Sequence, residues 1–100
     1  MTDQEIYDAL YDVIDPELGF NIVDLGLVYR VHAREDGVAE VDFTLTYPGC
    51  PLGDVISKDI VDRVGEQTDA RMVTATLVWS PPWNEGRMSE NARLIMGYPI

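Results

Sequence analysis

The sequence predicts a small α/β (α+β) domain, a three-stranded mixed sheet with helices packed on one face, in the order helix, strand, strand, helix, strand, helix. Three observations predict it. Apolar residues recur at helical spacing in two places, Ile6, Leu10, Val13 and Ile14, then Leu52, Val55, Ile56, Ile60 and Val64. Two alternating stretches flank Glu35-Asp36-Gly37, the pattern of a hairpin with one buried face. A third alternating stretch follows the second helix, and a helical crossover lets it run parallel to the strand before it if the two are neighbours. At 100 residues, positions 1–100 form one domain, too short for two cores.

The first helix begins after Thr2 or Asp3, either of which can cap it, with Glu5 adding an acid to the first turn. Pro16 is expected to end it, because the residue before a proline is pushed out of the helical region. Asp15-Pro16-Glu17-Leu18-Gly19 is then a turn. In the strand Leu27–Arg34, Leu27, Tyr29, Val31 and Ala33 form one face, and Val28, Arg30, His32 and Arg34 the other. The return strand places Ala39, Val41, Phe43 and Leu45 inside, and Glu40, Asp42, Thr44 and Thr46 outside. Pro48-Gly49-Cys50-Pro51 breaks it, and Pro51 suits a first helical turn, where its missing N–H costs nothing. The second helix runs from Leu52 to about Gly65, and the third strand from Met72 to Trp79, with Val73, Ala75, Leu77 and Trp79 on one face. Ser80-Pro81-Pro82-Trp83 stops it, and a last helix runs from Ser89 to Met96 with Gly97 as its stop.

Composition narrows the function. The chain is 46% hydrophobic and 25% charged, an ordinary globular balance. It carries 18 acidic against 7 basic residues, a net charge of −11, with no basic block. Such a surface repels phosphates, so neither nucleic acid nor an anionic membrane is an expected partner. No basic, apolar leader opens the sequence and no apolar run is long enough to span a bilayer, so a cytoplasmic protein is expected. Cys50 is the single cysteine, which excludes an intramolecular disulfide and suits a reducing compartment.

The hairpin also serves as a ruler. With its turn centred on Asp36, residue numbers that sum to about 72 face each other, so His32 faces Glu40. Cys50 lies ten residues beyond Glu40, about 33 Å along an extended chain. A Cys–His nucleophilic pair within one chain is therefore not expected. Three other segments converge on one end of the sheet: Cys50 after the second strand, Trp79–Trp83 after the third, and Asp24 before the first. Loops at one end of a sheet are the usual place for a site.

Cys50 stands at the expected start of a helix, where backbone N–H groups favour a thiolate. A small buried hydrophobe is the alternative. The flanking Pro48, Gly49 and Pro51 favour function, because a rigid turn aims one side chain. One thiolate cannot hold an iron–sulfur cluster, which usually takes four ligands. Asp15 and Glu17 read either as paired acids or metal ligands, or as a turn aspartate and a solvated glutamate, and spacing favours the latter. Thr44 and Thr46 lie on the strand leading to Cys50. Trp79 is expected to fill the core, and Trp83, beyond two prolines, to be an exposed partner-binding anchor or else a lid folded onto the core.

Asp15-Pro16-Glu17-Leu18-Gly19-Phe20-Asn21-Ile22-Val23-Asp24-Leu25-Gly26-Leu27-Val28-Tyr29 resembles the signature of the iron–sulfur cluster assembly domain family. Thr44–Leu52 resembles the second family motif, and Val78–Trp83 with Met88-Ser89-Glu90 the third. With no second cysteine up to Ile100, the chain is most similar to the short SufT-like branch rather than to PaaD-type members with their cysteine-rich tail. The resemblance implies a non-enzymatic accessory factor in iron–sulfur protein maturation, an adaptor or a transient carrier of a cluster or iron. It implies a functional patch at Asp15, Glu17, Leu18, Thr46 and Cys50, to which position adds Asp24. Tyr47 stands where relatives often carry a small hydroxyl residue. Cys50 would be the cluster or iron ligand, and a labile cluster would be shared between chains, in a homodimer or with the assembly machinery and client apo-proteins. A small thiol-dependent enzyme using Cys50 with Asp15 or Glu17 is the alternative, as is a protein-binding module with a structural Cys50.

Overall fold

The computed structural model describes residues 1–98. Its elements are α1 (Asp3–Leu10), β1 (Ile14–Asp15), β2 (Phe20–Asn21), β3 (Val28–Ala33), β4 (Val38–Phe43), α2 (Gly53–Gln67), β5 (Met72–Leu77), a 3-10 turn (Glu85–Arg87) and α3 (Glu90–Met96). The expected order of helices and main strands holds, with a second, two-stranded sheet added.

Helix α1 starts where the sequence places it. The Thr2 hydroxyl accepts from the Glu5 N–H, and the Glu5 carboxylate accepts from the Thr2 N–H, a reciprocal capping box. Its end corrects the expectation. The helix stops at Leu10, well before Pro16, and Ile14 and Asp15 form the short strand β1. The Ile22 N–H donates to the Val13 carbonyl, and Ile14 and Asp15 pair with Asn21 and Phe20. Val13 is buried from this extended segment, while Ile14, the supposed next helical contact, points outward and is 47% exposed.

The main sheet has the order β3-β4-β5, antiparallel across β3–β4 and parallel across β4–β5. The predicted register is observed: His32 faces Glu40, Val31 faces Val41 and Ala33 faces Ala39. A bulge between Val28 and Arg30 changes the phase, so Val28 faces Phe43 and packs on the core, not on the polar side. The inner face carries Ala39, Val41 and Phe43 from the central strand, flanked by Val31, Ala33, Val73, Ala75 and Leu77. Ile6, Ala9 and Leu10 of α1 and Ile56, Ile60 and Val64 of α2 close over that face. The outer face is polar; Arg30 reaches Asp42 at 3.1 Å and Glu40 at 3.3 Å. Helix α3 is capped by the Ser89 hydroxyl, which accepts from the Ala92 N–H, and ends at Gly97 with φ +82. Among the described residues no helix is long and apolar enough to cross a membrane.

Candidate functional site

Strands β4 and β5 run side by side to a common end, Phe43 beside Leu77. The chain leaving β4 forms the Tyr47–Cys50 turn, and the chain leaving β5 forms the Val78–Trp83 loop. Both therefore open at the same edge, as the ruler predicts. Leu45, Thr46, Tyr47 and Pro48 from the first loop and Trp79, Pro82 and Trp83 from the second enclose a cleft of about 250 Å³.

Cys50 is half-buried at the end of its turn, and its N–H donates to the Tyr47 carbonyl. Helix α2 begins only at Gly53, with Leu52 as its N-cap and no side-chain cap. Cys50 and Pro51 thus precede the helix instead of opening it.

The Glu17 carboxylate beside the Tyr47 phenol, and next the Cys50 thiol, hold that phenol above its usual titration range. Tyr47 therefore stays a neutral hydroxyl. Its value was invisible in the sequence, where it registered only as a departure from the family pattern. Asp15 does different work. It is 4% exposed, its Oδ1 accepts from the Glu17 and Leu18 N–H groups at 2.8 and 3.2 Å, and its carbonyl accepts from Gly19. It builds the turn that presents the exposed Glu17. Leu18 is half-buried against the core.

Asp24 is committed elsewhere. Its carboxylate accepts from Asn21 Nδ2 at 2.8 Å, its N–H donates to Asn21 Oδ1, and its carbonyl accepts from the Ser89 N–H. It joins the turn after β2 to the start of α3 and does not line the cleft. Thr46 does line it, whereas Thr44 is buried, with its hydroxyl unpartnered.

Trp79 departs from its expected place in the core, and Trp83 takes the second of its two expected places, folded onto the core. Trp79 is 43% exposed, since β5 ends at Leu77 and the alternation that placed it inside lapses there. Trp83 is half-buried against the core, and its indole Nε1–H donates to the Leu25 carbonyl at 2.8 Å. The Tyr29 hydroxyl donates to the Pro81 carbonyl at 2.8 Å, and the Arg87 guanidinium lies 4.6 Å from the centre of the Tyr29 ring. These contacts hold the loop after β5 in place. Trp83→Phe is expected to cost about 1 kcal/mol, the worth of one lost hydrogen bond, and chemical denaturation measures it directly.

His32 stands opposite Glu40 on the exposed outer face and not with Cys50. Among the described residues, no group of three or more His, Cys, Asp and Glu side chains gathers to hold a metal ion. One thiol per chain is too small a donor set to enclose a cluster within one chain.

An antiparallel hairpin extended by a parallel strand, with a single cysteine in the turn beyond the central strand and an Asp-Pro-Glu turn between β1 and β2, defines the class. The chain belongs to the iron–sulfur cluster assembly protein family, whose profile matches residues 3–77. It is similar to the Fe-S protein maturation auxiliary factor SufT of Staphylococcus aureus, 45% identical over 85% of this chain and 97% of that protein. It is also similar to the auxiliary factor YitW of Bacillus subtilis, 39% identical over 94% of this chain and 92% of that protein. A crystal structure of a domain of unknown function from Bacillus anthracis has the same fold, with a TM-score of 0.89 and 38% identity, covering 97% of this chain and 92% of that one.

Proposed function

We propose that this chain is a cytoplasmic, non-enzymatic accessory factor in iron–sulfur protein maturation, acting as an adaptor or transient carrier through a site centred on Cys50. The observation that carries this reading is the half-buried thiol of Cys50 in the turn beyond β4, at the sheet edge where the loops after β4 and β5 open together on a cleft. A half-buried thiol in a proline-flanked turn can touch a cluster as cargo while leaving its other coordination positions to the donor or recipient protein. The names of the similar maturation factors support the same role.

The direct test is reactivation of an apo iron–sulfur enzyme by a cluster-loaded assembly scaffold under anaerobic conditions. Adding this chain should speed the recovery of activity, and an unchanged rate would reject the role. The ligand count gives a second expected result. With one cysteine per chain, a reconstituted cluster should be retained only in species holding two copies or a partner. Native mass measured beside iron content per chain checks this. A cluster that survives dilution on a strict monomer would show that oxygen ligands suffice.

A further inference from the structure

We infer that the cleft beside the Cys50 turn is a receptor for a guanidinium, an arginine side chain presented by a partner protein. The inference rests on the reading of this edge as the place where partners dock, and it adds what such a partner must offer. Three aromatic residues, Tyr47, Trp79 and Trp83, line one opening with Pro48 and Pro82, and no charged side chain is among the lining residues. At about 250 Å³ the space lies below the roughly 300–1,000 Å³ usual for small-molecule sites, and suits one inserted side chain.

Charge complementarity selects which side chain. The Glu17 charge holds the Tyr47 phenol above its usual range, so the field of an acid reaches the aromatic wall. The chain as a whole carries −11, and Arg30, Arg34, Lys58, Arg63 and Arg71 each already meet a carboxylate of the same chain. A planar cation gains from stacking on Trp and Tyr faces, and an acidic surface draws it in. The protein uses the same contact internally, where Arg87 lies over Tyr29. Trp83 is fixed by its hydrogen bond to Leu25, and Pro81 by that from Tyr29, so one wall of the cleft is preorganised.

The experiment titrates the whole folded protein with N-acetylargininamide and, separately, with the uncharged N-acetylnorleucinamide, following the two indole N–H signals by NMR. It involves neither a cluster nor a client enzyme, so its failure leaves the maturation role standing, and failure of the reactivation assay leaves this cleft standing. The arginine probe should give a saturable shift, about two- to fivefold tighter than the norleucine probe at low salt. Added salt should narrow that margin. Trp79→Leu keeps an apolar wall but removes a π face, and should erase the preference. Tyr47→Leu should do the same, so the test does not hang on one variant folding. Equal binding of both probes, an unchanged preference in both variants, or no saturable shift overturns the assignment.

Discussion

Gly26→Ala is expected to lower the stability of the fold by roughly 3 kcal/mol or more, read as a shift in the urea midpoint. Two costs combine. Gly26 has φ +75, a backbone region that an alanine enters at a cost of about 1–2 kcal/mol. Its missing Cβ also leaves room for the main chain at Arg87, because a methyl group built there collides with the Arg87 carbonyl. That carbonyl cannot simply withdraw. Met88 next to it is 4% exposed in the core, and the Ser89 N–H is bonded to Asp24. Gly19→Ala supplies the comparison. Gly19 has φ +70 with nothing within 4 Å of the added carbon, so that variant should show the conformational cost alone. Equal losses in the two variants would mean that the contact with Arg87 carries no weight.

Cys50→Ser is expected to do the opposite, leaving the fold and removing the function. The thiol is half-buried in a turn outside any helix, so the exchange should cost less than about 2 kcal/mol. In cells that depend on the chain, iron–sulfur enzyme activity should fall to the level seen without it, at unchanged protein abundance. A serine oxygen is a poor replacement for a soft thiolate toward iron and sulfide. Full enzyme activity at normal abundance would assign Cys50 to packing. Native-state alkylation complements this, since a half-exposed thiol should label without denaturant.

Much of the scaffold was legible because it is periodic. The turn at Glu35–Gly37 and the alternation on either side set the register that places His32 opposite Glu40 and thereby separates it from Cys50. The helical spacing of Ile56, Ile60 and Val64 identified α2, and its crossover gave the parallel β5. What failed lies where periodicity ends. Val13 and Ile14 fit the helical spacing by coincidence, while backbone pairing with residues 20–22 holds that segment extended. A bulge shifted Val28 inward, and a bulge leaves no mark in a pattern of alternating residues. The alternation that puts Trp79 inside runs two residues past the end of β5, and Val78 makes the last bond to β4, from its N–H to the Phe43 carbonyl.

The site was legible in its pieces and less so in its contacts. Glu17 and Cys50 both raise the titration of Tyr47, an effect that depends on turns far apart in sequence and leaves no mark in spacing. Asp15 and Asp24 are instead turn-forming residues, as their hydrogen bonds to neighbouring backbone and to Asn21 show.

The parallel placement of β5 beside β4 has a consequence in time. Strands β3 and β4 are joined by a short turn and can zip together from neighbouring residues, whereas β5 must return across the whole of α2 before it pairs. The cleft is divided across that delay. On a growing chain the cysteine turn is synthesised first, and the aromatic half of the cleft has no position until the last strand docks. A chain cut off after α2 would present its thiol with no wall of tryptophan beside it. Under the proposed role, a chain still in synthesis holds only half of the surface that a partner would meet.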